Sequence, residues 1–172
     1  MKEIRWHARA GQGAKTAAQL LAVALLREGK SVQAFPEYGP ERRGSPMRAY
    51  TRYDDRPIRR RDSIEEPDAV VVLEPSLAGG PDVTDGLQPG GLLLVNSEHP
   101  IEGAVCVDAD HLAPGSVNLV MLGAIAGCLG EPPLESLAAA ASEVLGKKAD
   151  PAQLTAALTA GHHAAEEATC AA

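Results

Sequence analysis

The chain has 172 residues, 45% of them apolar but only 3% aromatic, and a formal net charge of −7. That length predicts a single domain over residues 1–172 with a core of Ala, Val, Leu and Ile, and no apolar run approaches the roughly 18 residues of a membrane span. Cys106, Cys128 and Cys170 are odd in number, widely spaced and without a C-x-x-C pair, which argues against a disulfide framework, a zinc site or an iron–sulfur cluster; with no secretory pattern at the N-terminus, a reducing cytoplasm is the expected location.

The net charge hides an asymmetry. Residues 1–61 carry fourteen Lys/Arg against six Asp/Glu, and residues 62–172 carry two against seventeen. Eight arginines fall between Arg42 and Arg61. A basic lobe on an acidic chain predicts a local anionic partner, such as phosphate groups or an acidic protein surface, unless these arginines pair with the chain's own acidic half. Nucleic acid is disfavoured by the overall charge and by the lack of a recognised motif.

In chain order, residues 3–9 alternate as a first strand. Ala10-Gly11-Gln12-Gly13 is a turn, and 14–28 has a helical stripe through Ala17, Leu21, Ala24 and Leu25 that stops at Gly29. With a second strand at 31–35 this predicts a βαβ unit whose helix N-terminus offers free N–H groups to an anion. The turn is not a full dinucleotide fingerprint, because Thr16 stands where the third glycine belongs, and it is not a Walker loop.

Phe35 to Pro46 holds three prolines, two glycines and the charges of Glu37, Glu41, Arg42 and Arg43. So much φ restriction and φ freedom in twelve residues predicts a rigid, shaped loop rather than a helix or a central strand. Met47–Tyr53 and Pro57–Arg60 flank Asp54-Asp55-Arg56 and read as a hairpin, which makes the sheet mixed. Ala69–Leu73 and 91–96 are continuous apolar runs, read as buried strands, and 104–108 is a shorter one. From Ser116 the pattern is helical, over 116–129, 133–146 and 151–168, with a tail from Glu166 expected to fray. The expected fold is α/β: a three-layer α/β/α domain with a mixed, mostly parallel sheet, an inserted β-hairpin and a helical C-terminal third.

Several stretches together resemble the gamma subunit of the pyruvate:ferredoxin oxidoreductase (2-oxoacid:ferredoxin oxidoreductase) family. They are His7-x-Arg9-x-Gly11-Gln12-Gly13, the run from Gln33 to Pro46, Arg48–Arg52, Pro67-Asp68-x-Val70-Val71-Val72-Leu73-x-Pro75, and Asn118-x-x-Met121-Leu122-Gly123-Ala124. The resemblance covers nearly the whole chain and is most specific at 35–46, whose Pro-Glu-Arg-Arg-Gly-Ser-Pro form is similar to the pyruvate and branched-chain enzymes. It departs at Ala8 and Ala10, where the family usually has glycines; the added methyl groups narrow the space over the turn and disfavour positive φ there.

The resemblance implies oxidative decarboxylation of a 2-oxoacid, pyruvate first among them, with coenzyme A and ferredoxin, to acyl-CoA, CO2 and reduced ferredoxin. It implies thiamine diphosphate, Mg and [4Fe-4S] clusters on alpha, beta and delta-type partner subunits, and a gamma chain, inactive alone, that helps enclose the active site and shape coenzyme A access. The residues that would hold phosphates here are Gly11, Gln12, Gly13, Lys15, Thr16, Arg42, Arg43 and Ser45, with the arginines binding bidentately. Two alternatives stay open: a stand-alone dinucleotide-binding domain using Gly11, Gly13 and Glu37, or a structural adaptor that binds no ligand. His7 reads as an ordinary strand residue, His162-His163 as a solvated pair near a helix end, and Glu74 as a conceivable ligand contact.

Overall fold

The computed structural model describes residues 1–37, 44–146 and 149–170, so Arg42 and Arg43 lie outside the described residues. β1 (Lys2–Arg9) sends Ile4, Trp6 and Ala8 into the main core. By the two-residue period of a strand, Glu3, Arg5, His7 and Arg9 go to the other face. α1 (Ala14–Arg27) buries the stripe read from the sequence, with Ala17, Leu21, Ala24 and Leu25 all fully covered.

β2 (Ser31–Glu37), β3 (Pro46–Asp54), β4 (Ala69–Val72), β5 (Leu92–Asn96) and β6 (Val105–Val107) complete a sheet of order β2-β3-β1-β4-β5-β6. β1–β4, β4–β5 and β5–β6 pair parallel, while β3 runs antiparallel to both β1 and β2. Five strands therefore point one way and β3 opposes them, which is the mixed, mostly parallel sheet that was expected.

The hairpin is present, but its second arm is not residues 57–60. β3 turns back on β2, with Phe35 opposite Tyr50 and their rings 5.1 Å apart, and Pro57–Arg61 forms no strand. Pro57 has no N–H to give a ladder, and Arg59-Arg60-Arg61 lacks the alternation that would bury one face. Ser31–Glu37 can put Val32 on the core side and stack Phe35 on Tyr50.

α1, α4 (Val117–Leu129), α5 (Leu134–Leu145) and α6 (Pro151–Cys170) build one core with Trp6, Val71, Leu94 and Val107. The short α3 (Ala109–Leu112) joins them through Ala109. The opposite layer is thin: Val70, Val72 and Val95 are covered by a 3-10 turn at Pro75–Leu77 and by α2 (Pro81–Thr84) with Val83. α6 continues to Cys170 instead of fraying at Glu166, because Ala165 is fully buried and the Thr169 hydroxyl donates to its carbonyl at 2.7 Å.

Much of the basic lobe pairs internally. Arg52 is fully buried and donates to Glu3, Gln33 and the Asp62 carbonyl, with the Phe35 ring 5.9 Å away. Arg48 stands between Glu37 and Asp82, and Arg60 pairs with Asp62.

Candidate functional site

The turn between β1 and α1 lies at the carboxyl end of β1, where open α/β sheets carry ligands. Gly11 (φ 101°) and Gly13 (φ 85°) are both left-handed. No non-glycine residue among those described has positive φ, so Ala8 and Ala10 occupy positions that need no glycine. Ala8 is fully buried, and the Ala10 N–H donates to the Ser45 carbonyl at 2.9 Å. The two methyl groups therefore fit this turn without distorting it.

Gln12 shapes the turn. Its Oε1 accepts from the Arg9 N–H at 2.7 Å, and its Nε2 donates to Glu74 at 2.5 Å. Both ends of its side chain are thus engaged by protein. The other Glu74 oxygen accepts from Ser76 Oγ at 2.7 Å, and Ser76 Oγ accepts from Arg9 at 3.0 Å. The Ser76 bond, helped by Gln12 and Arg9, holds the Glu74 carboxyl below its ordinary range. Arg9 also donates to the Gly44 carbonyl at 3.1 Å, which ties the approach to β3 to the turn. Glu74, read as a conceivable ligand contact, is engaged by Gln12, Ser76 and Arg9 and so ties the end of β4 to the turn after β1.

Gly13 caps α1, and a methyl group there would lie 2.7 Å from Asn118 Nδ2 at the start of α4. The N-termini of α1 and α4 therefore converge. Neither cap makes a side-chain hydrogen bond, and neither first turn holds an acid. First-turn amides mostly lack a partner within their own helix, although in α4 the Leu119 N–H donates to the Ser116 carbonyl at 2.9 Å, and both dipoles favour negative charge here. Lys15 is exposed beside them and Thr16 is half-buried, with Ser45 on the adjoining strand end. Gly11, Gln12, Gly13, Lys15, Thr16 and Ser45 thus gather at one edge of the sheet. Replacing Gly13 by Ala is expected to cost about 1–3 kcal/mol, from positive φ and displacement of Asn118. Chemical denaturation checks this, and a Gly11→Ala chain, strained in φ but facing open space, should lose less.

A second constellation was missed in the sequence. His7, Glu37, Met47, Arg48, Ser76 and Val83 line a cleft of about 390 Å³ on the thin-layer face. His7 is buried, and its Nε2 accepts from Arg5 Nε at 3.0 Å. A guanidinium only donates, so the ring is neutral with its proton on Nδ1. Burial, then Arg5 and Arg48, push the His7 pKa down to about 3. Tyr50 donates to Glu37; burial and that bond push the phenol up to about 12. The available signal was the alternation Arg5, His7, Arg9 in β1 against Arg48, Tyr50, Arg52 in β3, polar residues on one face of two central strands.

The family model for pyruvate ferredoxin/flavodoxin oxidoreductase matches residues 3–168. The chain is 47% identical to the pyruvate synthase subunit PorC of Thermotoga maritima over 161 residues, covering 85% of this chain and 83% of the relative. It is 47% identical to the pyruvate/ketoisovalerate oxidoreductases common subunit gamma of Thermococcus kodakarensis over 159 residues, covering 83% and 86%. The crystal structure of the Thermotoga maritima pyruvate oxidoreductase subunit PORC superposes with a TM-score of 0.84 at 39% identity, over 94% of this chain and 95% of that one. A 2-oxoglutarate:ferredoxin oxidoreductase from Magnetococcus marinus shares the fold at a TM-score of 0.77 and 20% identity, over 96% of this chain and 31% of the other. With the family model matching nearly the whole chain and two relatives 47% identical over more than four fifths of their length, the chain belongs to the pyruvate ferredoxin/flavodoxin oxidoreductase family and is similar throughout to its gamma-type subunits.

Proposed function

We propose that the whole chain works as one gamma domain in a cytoplasmic, multi-subunit 2-oxoacid:ferredoxin oxidoreductase, with pyruvate the first substrate to test. Its Gly11–Thr16 turn, with Ser45, Arg42 and Arg43, faces the phosphates of coenzyme A. The observation that carries this reading is the meeting of two helix N-termini without side-chain caps at Gly13 and Asn118, the first of them in the basic stretch 1–61. Such an end binds phosphate through backbone N–H groups and the helix dipole. Lys15 and the two arginines add charge, and Gln12 acts by holding the turn rather than by touching ligand.

The redox groups belong to partners of the alpha, beta and delta type. Cys106 is on β6, Cys128 on α4 and Cys170 at the end of α6, so the donors do not fit an iron–sulfur cluster, which takes four cysteines in one place. Thiamine diphosphate and Mg are assigned to those partners by the family reading. Among the described residues no helix is long and apolar enough to cross a membrane.

The dinucleotide alternative fares worse. It needs Glu37 beside the glycine turn, but β3 separates β2 from β1, putting the acid two strands, about 10 Å, away. Glu37 is also engaged by Tyr50 and Arg48.

The deciding measurement is steady-state kinetics of the assembled complex carrying Arg42→Ala or Arg43→Ala. A charge-assisted phosphate bond is worth roughly 1.5–3 kcal/mol, so the KM for coenzyme A should rise about tenfold to a hundredfold. The 2-oxoacid KM should barely move. Unchanged coenzyme A kinetics in both complexes would leave the adaptor reading in possession of the loop.

A further inference from the structure

We propose that His162, His163 and Glu166 on α6 form a site for one divalent cation of the zinc type, with a coordination position left for water. It lies on a different element from the glycine turn and is independent of the coenzyme A reading. The ligand atoms of the three side chains all lie within 4.8 Å of one another. His162 was expected to be solvated, yet its Nδ1 is shielded and has no hydrogen-bond partner among the described residues.

One carboxylate stands close to that nitrogen. Glu166 Oε2 lies 3.4 Å away without forming a hydrogen bond. Two atoms bound to one tetrahedral ion at about 2.0–2.2 Å stand about 3.3–3.6 Å apart. The pair therefore already has the bite of a first-row metal. Its i,i+4 spacing keeps both side chains on one helix face. An ion pair would instead put an imidazolium N–H in line with the carboxylate, and that bond is missing.

Two features keep the arrangement in place. A methyl group on Gly127 of α4 would lie 3.4 Å from His162 Cγ, so the ring rests against the neighbouring helix, which fixes its direction. Ala165, between the ligands in sequence, is fully buried and pins this turn. His163 is exposed, with its ring edge-on to His162 and centroids 6.1 Å apart, and it supplies the third ligand atom within the same 4.8 Å. Two imidazoles and one carboxylate are borderline N/O donors, which suit Zn, Co, Ni or Cu and not Mg or Ca.

The test uses the full chain, free of any affinity tag and stripped with a chelator. Cobalt(II) titration should give the intense visible bands of a tetrahedral ion, and one equivalent of zinc should abolish them. Magnesium should bind no differently to wild type and variants. His163→Ala and Glu166→Gln, both at exposed positions, should each weaken zinc about tenfold or more, since even outer partners of metal ligands carry 10- to 100-fold effects. His162→Ala should do the same, with circular dichroism confirming that α6 is retained. A pale six-coordinate cobalt spectrum, or zinc affinity unchanged in both His163→Ala and Glu166→Gln, would overturn the site.

Discussion

Gly123→Ala is expected to lower the melting temperature of the isolated chain by about 6–20 °C, an overpacking loss of roughly 3–5 kcal/mol at 2–4 °C per kcal/mol for a chain of this size. A methyl group on Gly123 would sit 1.9 Å from the Leu158 carbonyl oxygen, and one on Gly161 would sit 1.9 Å from the Val120 carbonyl oxygen. These are backbone atoms of the facing helix and no rotamer can move them aside. α4 and α6 would have to part, and every contact along their seam would lengthen together. α4 has no polar face to slide toward, since Leu119 through Ala126 are all buried. Gly161→Ala should match Gly123→Ala. Gly79→Ala is the control, because Gly79 has ordinary φ and nothing within 4 Å. A Gly123→Ala melt within 2 °C of wild type would show that the helices are not held at this distance. The seam also reaches the site, because α4 carries Asn118 against Gly13.

Periodicity was enough to place β1, α1 and the three long C-terminal helices, since a period of 2 or 3.6 is a property of the local chain. The partner of β3 was not local. Pro57–Arg60 is nearer in sequence than Ser31–Glu37, and the choice between them depends on Tyr50 finding Phe35 across the sheet. The glycine turn was correctly placed as an edge feature, but the role of Gln12 depends on Glu74, 62 residues away, and could not be read from the turn itself. Gly13 and Asn118 both stood among the family-like residues; that they touch is a tertiary fact. The buried polar face escaped because Arg5, His7, Arg48 and Arg52 look like the solvated side of ordinary strands. The thin third layer, to which Arg5 donates at the Val83 and Asp85 carbonyls, takes Arg5 and His7 out of water, while Arg52 is closed in by Gln33 and the Asp62 carbonyl.

His7 gives that buried face a measurable signature in acid. Its folded pKa is near 3, with burial the first cause and Arg5 and Arg48 next, whereas a histidine in the unfolded chain titrates near 6.5. As pH falls below 6.5 the unfolded state takes up a proton that the native state refuses, so stability drops with pH and the loss stops growing only near pH 3. Between pH 7.5 and 4.5 one such histidine removes about 2–3 kcal/mol, at 1.36 kcal/mol per pH unit once below 6.5. The carboxylates held low by their partners, Asp62 through Arg60 foremost, lose stabilisation only below about pH 4.5, so this window isolates His7 from them. Protonation would set a second donor against Arg5 Nε at 3.0 Å, inside a face that already holds Arg48. His7→Gln keeps an acceptor for Arg5 and cannot take a proton. It should cost about 1 kcal/mol in packing at pH 7.5 and flatten the acid limb between pH 6.5 and 4.5. Urea midpoints measured at half-unit pH steps decide the matter: equal slopes for wild type and His7→Gln across that window would mean that His7 takes up its proton in the folded state as readily as in the unfolded one.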